Sequence, residues 1–278
     1  MAILLGLITA ISFGSGDFFG GLATKRTSVL NVVAFSHFVG LISVIVITPF
    51  IADAFSFRDL GIGALAGIFG GIGVVGLYRG LATGPMAVVA PLTAVASAAF
   101  PALFGILSGD SLTLIAWIGI LIALVAIALS SLPNNVNASG ITVRTIVESL
   151  GAGIGFGALF ILFDVTADDV APWPVVGARA ITSTALLLFV FFVRRIDVQE
   201  IRSSAGLIVL TGLFDTGSNV IFIIATTLGD LTIVAVLSSL YPISTVVLAR
   251  AVLDERMSRV QLSGLALALI ATVLIAVG

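Results

Sequence analysis

The sequence predicts an all-α integral membrane protein with ten transmembrane helices in two inverted five-helix repeats, and three observations predict it. The 278-residue chain is 59% hydrophobic and 9% charged, whereas soluble domains average about 45–50% and about 25%. Its apolar stretches are separated by short polar breaks and run about 20 residues, the length that crosses a bilayer core. The second half of the chain also repeats the first, with the charge bias of its loops reversed.

The spans fall near 2–22, 29–51, 61–81, 86–107, 112–132, 146–166, 172–193, 205–226, 231–252 and 258–277. The N-terminus lacks the basic flank of a cleaved signal, so residues 2–22 read as a retained first span. The connections leave no room for a soluble domain. The longest polar stretch lies mid-chain and is rich in Asn, Ser, Pro and Gly, the composition of a flexible linker. The organisation is therefore a first repeat over 1–133, a linker over 134–145 and a second repeat over 146–278.

The repeat is visible in the residues. Laying Gly67 on Gly212 without a gap brings Phe69 onto Phe214, Val89 onto Val234, Leu92 onto Leu237, Asp110 onto Glu255 and Gly119 onto Gly264. The earlier spans align after a small slip, with Phe13 and Gly14 on Phe156 and Gly157. Five spans per copy is an odd number, so the second copy enters the membrane from the opposite side. Loop charge agrees. Lys25 and Arg26 have an acidic counterpart, Asp164, Asp168 and Asp169. Arg58 stands alone opposite Arg194, Arg195 and Arg202. Lys and Arg favour cytoplasmic loops, and nearly all of them fall at one face, which puts both termini outside. The location implied is the cytoplasmic membrane, in a bacterium the cell inner membrane.

The segment LDERMSRVQLSGLALALIATVLIAV (253–277), preceded by SSLYPISTVVLAR from Ser238, resembles the drug/metabolite transporter superfamily. Within it, the likeness is to EamA-type transporters with two five-helix repeats. GLYRGLATGPMAVVAPL (76–92) is the matching piece of the first half. The resemblance spans essentially the whole chain. It implies movement of amino acids, other metabolites, sugars or drugs across the membrane, driven by protons or by exchange. Many members keep their termini in the cytoplasm, and the charges here argue the reverse.

An ionised side chain at the bilayer centre costs about 2.5–3.5 kcal/mol on insertion scales, so charged groups inside spans are the informative ones. Asp215 lies mid-span with Asn219 four residues on, on one helix face. Together they offer an acceptor, a donor and a titratable group. A plain helix–helix hydrogen bond is the alternative. Asp17 in the first span suits gating or proton coupling, or pairing with a backbone amide or Lys25. Arg179 in the seventh span suits neutralising Asp215 or holding a carboxylate. His37 is the only histidine, fit for a proton relay or for a satisfied structural bond. Tyr241 with Pro242 lies one helix along from Asp215, and Pro242 removes a helix bond that a gate can use. Closely spaced glycines in the third and sixth spans permit close helix packing.

These residues favour a secondary active transporter working by alternating access. Its central site is expected from the first, third, fourth, sixth, eighth and ninth spans. A channel or facilitated-diffusion pore is the alternative, disfavoured by the few polar residues available to line it. A lipid-modifying enzyme lacks its parts: no cysteine, one histidine and no HExxH or GxSxG. No cofactor, metal or catalytic residue is expected. The partners are a small-molecule solute, the lipid bilayer and protons as a candidate coupling ion. A net charge of −2 gives no basic face for nucleic acid. The state is a monomer or a homodimer.

Overall fold

The computed structural model describes residues 1–83, 86–132, 142–166, 168–193, 198–253 and 257–278, without the side chains of 78–83, 86–88, 193 and 198. Among them the chain is helical throughout. The first repeat holds α1 (Ala2–Thr24), α2 (Val29–Ile51), α3 (Phe57–Thr83), α4 (Met86–Ser108) and α5 (Leu114–Ser130). The second holds α6 (Val143–Asp164), α7 (Trp173–Val193), α8 (Val198–Thr226), α9 (Leu231–Ser238), α10 (Tyr241–Leu253) and α11 (Arg259–Val277). The predicted linker lies largely outside the described residues.

Local chemistry places the helix starts. Ser28, Thr113 and Thr142 each accept a bond from the backbone N–H three residues on, as N-caps do. Ser258 and Gln261 cap each other's backbone at the start of α11. Gln261 Nε2 also donates to Leu132 O at 2.9 Å, tying α11 to the end of α5.

The ninth span departs from the single helix expected over 231–252. It is two helices, α9 and α10, separated at Ser239 and Leu240. Pro242 has no N–H to give, so the ladder tightens there. Leu240 N bonds Leu237 O at 3.1 Å and Ile243 N bonds Leu240 O at 3.0 Å, both three residues back. Pro91 and Pro101 have no such effect, and α4 runs through both.

The repeats interlock. α3 packs on α6 and α7 of the other repeat, and α8 packs on α1 and α2 in the same manner. α4 packs on α6 as α9 packs on α1. Two crossings join equivalent helices, α2 with α7 and α5 with α11, so the local two-fold axis runs through both. This geometry explains the glycine matches in the sequence. A Cβ on Gly67 would meet Ala178 O at 2.6 Å, and one on Gly212 would collide with Ser36 O. A Cβ on Gly119 would stand 2.8 Å from Ile275 Cγ1, and one on Gly264 2.8 Å from Ser130 N. Backbones in lipid approach this closely only where no side chain intervenes.

The two halves of the ninth span differ in burial. All but one residue of α9 is buried, held by α1, α4, α5 and α8, whereas none of α10 is. The main packing partner of α10 is α1. The ninth span is therefore enclosed along α9 and more open along α10.

Candidate functional site

Four helices bring their charged residues to one place. Asp215 lies on the face of α8 opposite its exposed Leu210 and Leu213. Its carboxylate Oδ2 is 2.8 Å from Arg179 Nη2 of α7. The same Nη2 donates to the Asp215 backbone oxygen at 3.2 Å. Ser218 Oγ and Asn219 Nδ2 donate to that oxygen as well, each at 2.7 Å. Arg179 is buried, and Asn219 is 4% exposed with its Oδ1 unpartnered.

His37 of α2 completes the cluster. Arg179 Nη1 lies 3.2 Å from His37 Nε2, and His37 Nδ1 lies 3.0 Å from Thr182 Oγ1. Thr182 Oγ1 donates onward to Ala178 O at 2.9 Å. The Asp215 carboxylate stands 3.7 Å from His37 Nε2, outside hydrogen-bond range.

Asp17 of α1 is the group left over. Among the described residues it makes no hydrogen bond and no ion pair, with Lys25 or with any backbone amide. Its charge interacts with Asp215 and with Tyr241. The neighbouring Gly16 explains the closeness, since a Cβ there would stand 3.2 Å from Asp215 N. Ala10, Gly14, Asp17 and Gly21 share one stripe of α1 at helical spacing. Ala10 and Gly14 are buried, Gly14 hard against Tyr241 O and Ser244. Asp17 and Gly21 are exposed, and nothing lies within 4 Å of a Cβ on Gly21. The lipid-exposed residues Leu4, Ile8 and Ile11 occupy a different face. Asp17 thus opens into the space between α1 and α10, within the protein and not toward lipid.

Phe13 and Tyr241 lie beside that space, with Phe160 and Phe222 buried in the core behind Phe13. Phe13 packs edge-on to Tyr241 with centroids 6.3 Å apart, and Phe160 lies 5.9 Å from Phe13 and stacks on Phe222 at 4.3 Å. Thr245 Oγ1 donates to Gly14 O at 3.1 Å, fastening α10 to α1 at this level.

At the N-terminus of α9 a contact joins the two repeats. Asp110, in the loop after α4, accepts from Thr232 N at 2.9 Å and lies 2.6 Å from Thr232 Oγ1. Its negative charge sits at the positive end of α9. Thr232 Oγ1 is also 2.9 Å from Ala102 O, so α9 is held against α4 as well. Asp164 and Asp230 lie within electrostatic reach of Asp110. Burial, with the Asp110 charge second, pushes the Asp230 carboxyl above the ordinary carboxylate range.

Compared with the helices expected to build the site, the charged cluster adds α2 and α7. Asp215, Asn219, Arg179 and His37 form one network, Asp17 faces it unpaired, and Tyr241 borders the Asp17 side. Thr182 was not among the residues named from the sequence, and Asp110 was named there only as the repeat match of Glu255. Thr182 had one signal, its position three residues after Arg179 on the same helix face.

A family model describing EamA-like transporters matches residues 1–132 and again 144–277. The chain belongs to the EamA-like transporter family. A solved crystal structure of another protein, 18% identical, covers 99% of this chain and 96% of its own, with a TM-score of 0.81. At that identity it bears on the fold alone, and it shows the same fold. No curated protein matches the chain. This EamA-like transporter is accordingly a multi-pass membrane protein that moves small solutes.

Proposed function

We propose that this EamA-like transporter is a secondary active transporter that moves a small metabolite by alternating access, driven by a gradient or by exchange. The observation that carries the reading is the unpaired carboxylate of Asp17 beside the Arg179–Asp215 pair. Counted as ordinary ionised groups, Asp17, Asp215 and Arg179 leave one negative charge in excess. Asp17 is exposed toward the space beside α10, so this excess charge is accessible to a balancing cation. A cation balances it, either a proton or a positive group on the solute. The rings of Phe13 and Tyr241 flank the same space and suit an amine-bearing solute with an apolar body. Inverted repeats place such sites near the membrane midplane, where rocking of one repeat against the other exposes them to either side.

The Lys and Arg distribution supports a cytoplasmic membrane location with the basic face inside and both termini outside. In that orientation the gap beside α10 faces the cytoplasm and the Asp110–Thr232 contact seals the outer side. The test is uptake into proteoliposomes of matched cationic, neutral and anionic metabolites, with and without a pH gradient. Saturable, gradient-sensitive flux of the cationic set and stimulation by solute on the far side are expected. Flux without such stimulation would identify a pore instead.

A further inference from the structure

The donors and acceptors around His37 fix its chemical form. Arginine only donates, so at 3.2 Å from Arg179 Nη1 the His37 Nε2 must be the acceptor and carries no hydrogen. A backbone oxygen only accepts, so Thr182 Oγ1, which has a single hydrogen, spends it on Ala178 O at 2.9 Å. His37 Nδ1, 3.0 Å away, must then be the donor. The bonds run in one direction, from Arg179 to His37 to Thr182 to Ala178. The ring they require is neutral, with its hydrogen on Nδ1.

A second proton on this ring cannot leave the arrangement in place. It lands on Nε2, the atom that accepts from Arg179, and sets two cations face to face. An anionic acceptor for the new N–H is Asp215 Oδ2 at 3.7 Å, the oxygen now held by Arg179 Nη2 at 2.8 Å. The charged groups facing His37 are few. α7 offers Arg179, α8 offers Asp215, and α1 offers Asp17 behind Asp215. Glu200 of α8 is engaged elsewhere, at the Thr27 hydroxyl 3.2 Å away.

We propose that His37 is a proton-operated switch on the solute site: neutral, it holds Arg179 on Asp215; protonated, it takes the Asp215 carboxylate and displaces the guanidinium. The step consumes one proton from water and breaks no covalent bond. It changes the sum over Asp17, Asp215, Arg179 and His37 from one negative charge to zero. Because His37 lies in the first repeat and Arg179 and Asp215 in the second, it also changes a bond between the repeats. This role rests on the transporter reading; the form of the ring does not.

The chain has one histidine, so protein carrying nitrogen-15 histidine gives a single ring to observe by NMR. In the intact protein in nanodiscs, the expected ring is neutral with hydrogen on Nδ1, gaining its second proton on acidification. Asp215→Asn removes the anion that receives the new N–H, so protonation then requires a more acidic sample, by at least a tenfold change in proton concentration. Hydrogen on Nε2 in the neutral ring, or a titration indifferent to Asp215→Asn, would overturn the proposal. If Asp215→Asn does not fold, Thr182→Val is the second variant, expected to weaken the Nδ1–H preference. In His37→Gln, which cannot take a proton, the ratio of uptake at acid pH to uptake at neutral pH is expected to become flat. An unaltered pH profile in that variant would also overturn the switch. Absence of any flux in the wild type, with the ring behaving as described, would instead overturn the transporter reading.

Discussion

Arg179 Nη2 sits 2.8 Å from Asp215 Oδ2 and 3.2 Å from the backbone oxygen of the same residue, so one guanidinium nitrogen grips both side chain and main chain of α8. The pair joins α7 to α8 across lipid-embedded protein. Its side chains differ in exposure, 8% for Arg179 and 29% for Asp215, so a charge left alone on Arg179 is the more deeply buried of the two. Removing one member of a buried pair costs about 3–5 kcal/mol because the other charge is stranded. Asp215→Ala, which strands the buried Arg179, should lower thermal stability in detergent by about that much, and Arg179→Ala, which strands the more exposed Asp215, by distinctly less. Equal losses would show that exposure does not govern the pair.

Asp17 makes the opposite case. With no partner to strand, Asp17→Asn removes an uncompensated charge and should leave the melting temperature unchanged or raised. Transport of a cationic solute should be lost. Undiminished uptake by a well-folded variant would remove Asp17 from the site.

The Asp110–Thr232 contact predicts a gate. A hydrogen bond to a charged group is worth about 1.5–3 kcal/mol, enough to shift a two-state equilibrium more than tenfold. Asp110→Ala removes both bonds from the loop after α4 to α9, and Thr232→Val removes the hydroxyl bond while keeping the backbone one, so both should loosen α9, the first more than the second. The chain has no cysteine, so Ala98→Cys, at a position 0% exposed in the cluster packed around α9, gives a clean reporter. Membrane-impermeant maleimide applied at the Asp110 end should label it faster in both variants. Equal rates in the parent would place the seal elsewhere.

The crossing of α5 on α11 has no room to spare. A Cβ on Gly119 would lie 2.8 Å from Ile275 Cγ1 and 3.1 Å from Ala271 O. Gly119→Val should cost about 1–3 kcal/mol by overpacking. Gly151→Ala, where nothing lies within 4 Å, should be neutral in the same melting assay.

Sequence alone determined the solvent, the number of crossings and the doubling of the chain. Those follow from hydropathy and spacing, which every residue of a span contributes to, and the Gly67–Gly212 and Gly119–Gly264 matches record where helices must touch. It also named Asp17, His37, Arg179, Asp215, Asn219 and Tyr241, because charge and polarity inside lipid are conspicuous wherever they occur. Only the tertiary structure decided their partners. His37 and Thr182 are 145 residues apart in the chain, and whether they meet depends on how α2 and α7 are rotated about their axes. The same holds for the prolines. Pro91 and Pro101 stay inside a continuous α4 while Pro242 accompanies a break, since a proline only removes one bond and the surrounding packing settles whether the helix parts there. Asp17 was left unpaired for a related reason: its face of α1 packs on α9 and, at Gly14, on the start of α10, and Asp17 lies just beyond those contacts, a placement no local pattern in the sequence encodes.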